Sequence, residues 1–383
     1  MRIAFYAPLK PPDHPVPSGD RQLARALLEA LAGGGHDVAV ASRFRSFDAR
    51  GDHARQQRLA ALGARIAERL TTRLARAPAP ELWFTYHLHH KAPDLLGPAV
   101  SGALRIPYVV AEASVAPRQR GGPWAAGHAR ALAAVRAADT IVFLNPLDAP
   151  QVRSVRAPDA PCEWLAPFID VAAFAGDARH APARGAGAGE TRLATVAMMR
   201  DGAKLASYRT LAAALQRLRD LPWKLTIIGD GPARAEVVAA FAALAGRVRF
   251  LGARPATEVA ALLRESDVFV WPAVDEAIGI VFIEAQACGV PVVGADAPGV
   301  AAVVDAGRTG LLVAPADAAA FADALRRLLL DPRMRERMRN AARAYVRERH
   351  DLPAAVSRLD AILRAAVARR RAIGHAPAVD APC

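Results

Sequence analysis

Residues 272–295 read PAVDEAIGIVFIEAQACGVPVVGA, and in them Glu276 and Glu284 stand with seven residues between them inside an otherwise apolar segment. The segment closes on a Gly-Val-Pro turn and a valine run. A carboxylate in such a setting loses several kcal/mol or takes up a proton unless something donates to it. The segment supplies no donor of its own. Either a basic side chain from elsewhere in the chain or a ligand must reach the two carboxylates.

The valine run is one of a series. Outward from it, LATVAMM, WKLTIIGDG, VRFLG, DVFVWP, PVVGA and GLLVAP are apolar runs of strand length, each followed by a helical pattern or a turn. An earlier series begins with RIAFYAP, the Pro-rich loop LKPPDHPVPSGD and a helix in which Leu23, Leu27, Ala30 and Leu31 recur at helical spacing until Gly33, Gly34 and Gly35 end it. It continues through ELWFTYH, PYVVAEAS and TIVFLN. Apolar strands alternating with helices are the pattern of parallel α/β sheets. The fold class expected is therefore α/β, two doubly wound Rossmann-like domains facing across a cleft, with a helical C-terminal segment. In this class ligands bind outside the carboxyl ends of the strands.

The expected outline is an N-terminal domain over 1–170, a linker over 171–192, a C-terminal domain over 193–345, a helix over 346–372 returning to the first domain, and a tail over 373–383. The linker holds GAGAG, which no strand precedes and no helical pattern follows, so it does not read as a dinucleotide fingerprint.

A length of 383 residues fits two domains, and 53% apolar with 23% charged residues fits a globular protein. No apolar run approaches the roughly 18 residues a membrane-spanning helix needs, and the first ten residues carry no signal-peptide core, so a cytoplasmic location is expected. Cys162, Cys288 and Cys383 lie too far apart for a CxxC-type site. The net charge of +13 is spread over alanine-rich helices without aromatic interleaving. That argues against nucleic acid and leaves a weak attraction to anionic membrane surfaces, peripheral at the inner membrane face, as an expected partner property.

No G-x-G-x-x-G following a strand, Walker A, HExxH or G-x-S-x-G sequence is present, and no Asp-x-Asp pair. The last absence points to phosphate charge being met by basic side chains and backbone N–H groups, with no metal and no cofactor expected.

EAIGIVFIEAQACGVPVV resembles the E-x-x-G…E-A…G-x-P-V-V signature of retaining nucleotide-sugar glycosyltransferases of family 4 (group 1), which have the GT-B fold. VAMMRDGAKLASYRTLAAAL resembles the basic segment of that family, IIGDGP its Gly-Asp-Gly-Pro turn, and VRFLGARPATEVAALLRESDVFVWPA the run leading to the carboxylates. The resemblance is strongest from Leu193 to Pro315. It implies a hexosyltransferase of polysaccharide biosynthesis that uses a UDP- or GDP-sugar and a glycan or lipid-linked acceptor. A nucleotide-sugar epimerase or hydrolase, and a non-catalytic nucleotide-sugar-binding protein, are the alternatives.

Carried over by position, the resemblance implies that Arg200 and Lys204 hold the donor diphosphate, Glu276 contacts the transferred sugar, and Glu284 accepts from the ribose hydroxyls. It places Gly231, Leu251, Arg254, Gly279 and Ile280 among the donor-binding positions. His87, in TYHLHHK, stands where the family often carries an active-site histidine, so the implied catalytic set is His87, Glu276, Arg200 and Lys204. On this reading the opening carboxylates are satisfied by sugar hydroxyls, the alternative being ion pairs within the protein. Where the family commonly shows Gly-Gly-x-x-Glu, this chain has APGVAAVVDAG, with Gly299 kept and Pro298 and Ala302 in place of a glycine and the acidic residue.

Three further readings concern the first domain. Ser18 and Gly19 close the loop before the first helix, where N–H groups would face a diphosphate or merely cap the helix. His87 and His89 would need a third ligand to hold a metal. Glu112 ends a strand, and is either a structural carboxylate or an acceptor-side contact.

Overall fold

The computed structural model describes residues 1–16, 18–76, 78–176 and 189–374. The chain divides into two compact units, Met1–Leu165 with Ala355–Cys383, and Ala166–Ala354. Each is built on a six-stranded sheet whose paired strands are all parallel.

The first sheet contains β1 (Arg2–Tyr6), β2 (Asp37–Ser42), β3 (Leu82–Leu88), β4 (Tyr108–Ala113), β5 (Thr140–Phe143) and β6 (Cys162–Trp164) in the order β2-β1-β3-β4-β5-β6. Its central strands are buried on both faces, as helix-covered parallel strands must be, which is why they read as unbroken apolar runs. The helix Gly19–Gly33 buries Leu23, Leu27, Ala30 and Leu31, the stripe read from the sequence. Strand β6 has only three residues, carries half-exposed Trp164 at the sheet edge, and left no periodic signal to read.

The second sheet contains β7 (Thr191–Val196), β8 (Trp223–Ile228), β9 (Val248–Phe250), β10 (Val268–Val270), β11 (Val292–Ala295) and β12 (Gly310–Val313) in the order β12-β11-β10-β7-β8-β9. Trp223, Phe269, Trp271 and Phe282 are wholly buried in its core.

The stretch expected as linker begins with ordered structure. Asp170 caps the helix Val171–Ala175 by accepting from Ala172 N, and Val171 and Phe174 enter the core of the second unit. Ile169 exchanges backbone hydrogen bonds with His350 and Leu352 of the same unit. Residues 177–188, which include most of GAGAG, and the tail from 375 lie outside the described residues. The C-terminal helix Leu352–Gly374 starts in the second unit and continues in the first. There Asp360 meets His36 Nε2 at 3.2 Å and Arg369 donates to Thr140 Oγ1 at 2.9 Å. No helix of the described residues is long and apolar enough to cross a membrane.

In each sheet the direction of winding reverses once, between β1 and β3 in the first and between β7 and β10 in the second. Connections on either side of such a point diverge, and the strand ends there open a crevice.

Candidate active site

The crevice of the second unit gathers most of the residues singled out from the sequence. Beyond β7 the chain passes Arg200 and enters the helix Ala203–Gln216, whose first turn carries Lys204. Beyond β10 it passes buried Trp271 and reaches Glu276. Lys204 Nζ lies 2.5 Å from Glu276 Oε2, and Trp271 Nε1 donates to the same oxygen at 3.4 Å. The ammonium also stands 5.5 Å from the centre of the Trp271 ring.

The loop carrying Glu276 is held against the helix, because Ser207 Oγ accepts from Val274 N at 2.9 Å. Within it Ala273 and Asp275 adopt left-handed backbone, φ 51° and 57°. Such conformations cost about 1–3 kcal/mol for residues with a Cβ and persist only where the surroundings enforce them. Gly299 backs this loop: a Cβ on it would stand 2.4 Å from the carbonyl oxygens of both Glu276 and Ala277. Glycine is what lets the short helix Pro298–Ala301 approach so closely. Ala302 ends that helix half-buried and brings no carboxylate.

The remaining donor-side positions distribute around the same strand ends. Gly231, at φ 156°, follows β8, and a Cβ there would lie 2.2 Å from Met199 O, so the Gly-Asp-Gly turn packs directly on the strand end that leads to Arg200. Leu251 continues β9 by donating from its N to Ile227 O. Arg254 is exposed and meets Glu258 at 3.7 Å, an ordinary i,i+4 surface pair. Gly279 precedes the helix Ile280–Ala287, in which Glu284 is buried at 8% exposure. Arg200 is exposed and is paired with no carboxylate among the described residues.

Glu276 therefore has protein partners, a lysine and a tryptophan. This corrects the expectation that sugar hydroxyls alone would satisfy it. The basic residue is one already singled out, so pair and ligand readings converge on a single place.

In the first unit the crevice carries a second charged pair. Asp20, in the first turn of the helix Gly19–Gly33, lies 3.1 Å from His87 Nδ1 at the end of β3. Ser18 caps that helix by accepting from Arg21 N at 3.3 Å and also accepts from Lys10 Nζ at 2.8 Å. The space beside Gly19 is open. Strand β3 pairs Tyr86 with Ala111 and Leu88 with Ala113 of β4, which leaves His87 and Glu112 opposite one another. Both take left-handed backbone, φ 62° and 56°.

Burial alone would lower the His87 pKa, but Glu112, Asp20 and Asp148 around it hold it up at about 9. Burial pushes Glu112 and Asp148 above the usual carboxylate range. Asp20 stays below it despite its burial, through its contact with His87. His89 stacks at a tilt 5.0 Å from the His87 ring, and burial with the neighbouring imidazoles keeps it uncharged. No group of three or more metal-ligating side chains converges among the described residues.

Sequence reasoning missed Asp148, Tyr86, Trp271 and Ser207 as members of these clusters. Asp148 follows β5 just as Glu112 ends β4, so the rule that strand ends line the crevice was sufficient to find it. Tyr86, Trp271 and Ser207 sit in apolar or helical contexts that look structural until the fold is known.

Residues 194–345 match the family described as glycosyl transferases group 1. A D-inositol 3-phosphate glycosyltransferase of Corynebacterium jeikeium is 39% identical over 107 residues, 28% of this chain and 26% of that protein. The alpha-D-kanosaminyltransferase of Streptomyces kanamyceticus is 34% identical over 159 residues, 41% of each chain. The matches thus span between about a quarter and two fifths of these relatives. Among solved structures, sucrose-phosphate synthase from Thermosynechococcus elongatus superposes with a TM-score of 0.74 at 21% identity, over 96% of this chain and 100% of that one. Anabaena HepE in complex with UDP gives 0.72 at 14% identity, over 95% and 100%. The match to glycosyl transferases group 1 thus falls on the second unit, within a chain whose two Rossmann-like units have the GT-B fold.

Proposed function

We propose that this chain is a retaining, metal-independent hexosyltransferase that takes the sugar from a UDP- or GDP-hexose and passes it to a hydroxyl of a glycan or lipid-linked acceptor. The observation that carries the proposal is the Lys204–Glu276 pair beside exposed Arg200 at the winding reversal of the second unit. A diphosphate brings negative charge that Arg200 and Lys204 meet, the first by a planar fork of donors and the second as a compact ammonium. As diphosphate oxygens recruit the ammonium, Glu276 is released to accept from the sugar hydroxyls and to oppose positive charge developing at the anomeric carbon. Oriented charge of this kind acts without reorganising when the bond breaks. No side chain is assigned as a covalent nucleophile. The group 1 match and the glycosyltransferase names of the relatives support the reaction class, and the UDP held by HepE supports a uridine donor.

The test is calorimetric titration of UDP and GDP in chelator, followed by incubation with UDP-glucose or GDP-mannose and an acceptor extract, the anomer of the product being read by NMR. Binding without a metal and an axial product are expected for these α-linked donors. Absence of nucleoside-diphosphate binding, or binding that vanishes in chelator, would overturn the corresponding part. Free sugar formed equally with and without acceptor would instead mark a hydrolase.

A further inference from the structure

A hollow of about 510 Å³ opens in the second unit, within the range of roughly 300–1,000 Å³ common to small-molecule sites, and neither Lys204 nor Glu276 lines it. Its charged walls are Asp296 after β11, Asp305 and Arg308 in the turn before β12, and Glu348 and Arg349 with Tyr345 in the last turns of the helix Pro332–Arg349. Each wall is fixed by the fold. Asp296 N donates to Val313 O at 2.6 Å. The turn closes on itself, with Asp305 N donating to Thr309 Oγ1 at 3.0 Å and Thr309 N to Asp305 O at 2.8 Å, and Gly307 at φ 80° makes the bend. The Tyr345 ring leans on buried His350 at 5.2 Å, and His350 Nδ1 meets Pro167 O at 2.7 Å. The helix Pro298–Ala301 stands between two roles: Gly299 backs the carbonyls of Glu276 and Ala277, whereas Ala301 and Val304 line the hollow.

The lining selects a ligand class by its charges. Arg308 Nη1 lies 3.0 Å from Asp305 Oδ2, Arg349 Nε lies 3.9 Å from Glu348 Oε1, and Asp296 joins no ion pair among the described residues. A phosphate would have to compete with a carboxylate already beside each guanidinium, and would meet three acids against two bases. A metal ion would need ligands that do not converge among the described residues. An apolar ligand would take water from five charged groups and return no partner. A hydroxyl-rich neutral ligand meets every group, because each hydroxyl can donate to a carboxylate while accepting from a guanidinium. We infer that this hollow is a second carbohydrate site, taking a neutral hexose unit between Asp296 and the Asp305–Arg308 pair. The inference goes beyond the proposed transfer reaction and uses none of its residues.

Ligand-observed NMR tests it, with D-glucose, D-mannose, D-galactose, maltotriose and mannotriose titrated onto the whole chain in saturating UDP. At least one sugar is expected to bind. Its affinity should fall by about tenfold or more in Asp296→Ala and in Arg308→Ala, the scale of losing a hydrogen bond to a charged group, while UDP affinity stays unchanged. Both side chains are exposed, so both variants should fold. Tighter binding of a trisaccharide than of its monosaccharide would support the site and identify the ligand as a unit of a glycan chain, and equal binding would support it with a free sugar as the ligand. Absence of binding by all of these sugars overturns the inference. So does binding that both variants keep, which would place the sugar elsewhere, or tighter binding of glucose 6-phosphate than of glucose, which would mark an anion site.

Discussion

Lys204 and Glu276 face each other across the winding reversal of the second sheet, one from the connection after β7 and the other from the connection after β10. Asp20 and His87 do the same across the reversal of the first sheet, one from the connection after β1 and the other from the end of β3. In each unit the fold thus brings one acid and one base from sequence-distant segments to the place where its crevice opens. The pair in the second unit is two-thirds or more buried, so water screens it only in part.

Lys204→Ala removes the charge-assisted contact and strands Glu276 with only the indole donor. UDP binding is expected to weaken by about 10- to 100-fold, the scale of 1.5–3 kcal/mol for a hydrogen bond to a charged group. Arg200→Ala should weaken it by a similar factor while leaving the melting temperature unchanged, since the side chain is exposed. Titration calorimetry on both variants checks this, and an unchanged UDP affinity in both would remove the diphosphate from this crevice.

Much of this site was legible before any coordinates. The alternation of apolar runs and helices outlined both sheets, because buried parallel strands must be apolar throughout. Strand β6, three residues long at an edge, escaped. The spacing of Arg200, Lys204, Glu276 and Glu284 was readable through family resemblance, whereas the ion pair was not, since contact between positions 204 and 276 depends on the strand order rather than on any local pattern. The same limit hid the His87–Glu112 pairing, which needs the β3–β4 register. Asp148 was hidden for a weaker reason: it sits one short turn beyond its strand, in a stretch that reads as a simple cap.

His87 gives a pH signature. Its pKa in the folded chain, about 9, lies above the ordinary 6.5. A group raised in this way contributes stability that is fully present below about pH 6.5 and is lost as pH rises through about 9. The wild-type melting temperature should therefore fall relative to that of His87→Gln between those values. Scanning fluorimetry across that range reads it, and two curves that stay parallel would show that the imidazole is not held charged.

The helix His53–Leu74 turns Arg55, Arg58, Arg65, Arg69 and Arg73 to solvent. Weak association with anionic vesicles is expected at low salt, and it should fade near physiological ionic strength, where charges are screened within about 8 Å. Co-sedimentation with phosphatidylglycerol vesicles at two salt concentrations tests this. Indifference at low salt would leave a soluble acceptor favoured.

Gly299→Ala probes the support of the Glu276 loop. The added Cβ would meet two carbonyl oxygens at 2.4 Å, and backbone must move to relieve it. Turnover should drop at least about tenfold, since small displacements of a positioned group are costly to rate, while UDP affinity changes less. Wild-type kinetics in a folded Gly299→Ala protein would show that the loop position is unimportant.

Glu276 and Glu284 separate by where they stand. Glu284 lies inside the helix Ile280–Ala287, fixed and buried, so a contact it makes with the ribose is the same before and during reaction. Glu284→Gln should raise the donor dissociation constant and KM with little change in kcat, the mark of an interaction made equally in both states. Glu276 instead stands on a loop with left-handed residues at 273 and 275, held by Lys204 and Trp271, where a sugar would lie beside the diphosphate. Its charge gains importance as the anomeric carbon becomes positive. Glu276→Gln should reduce kcat at saturating donor by about 10²–10³, the range seen when one oriented electrostatic contact is removed. UDP affinity should be kept or even rise, because Lys204 loses its internal competitor. The two variants thus move different parameters, and steady-state kinetics with UDP titration on each distinguishes them. If both keep wild-type donor affinity and turnover but melt at lower temperature, the carboxylates serve only the fold and the assignment of this crevice to the donor fails.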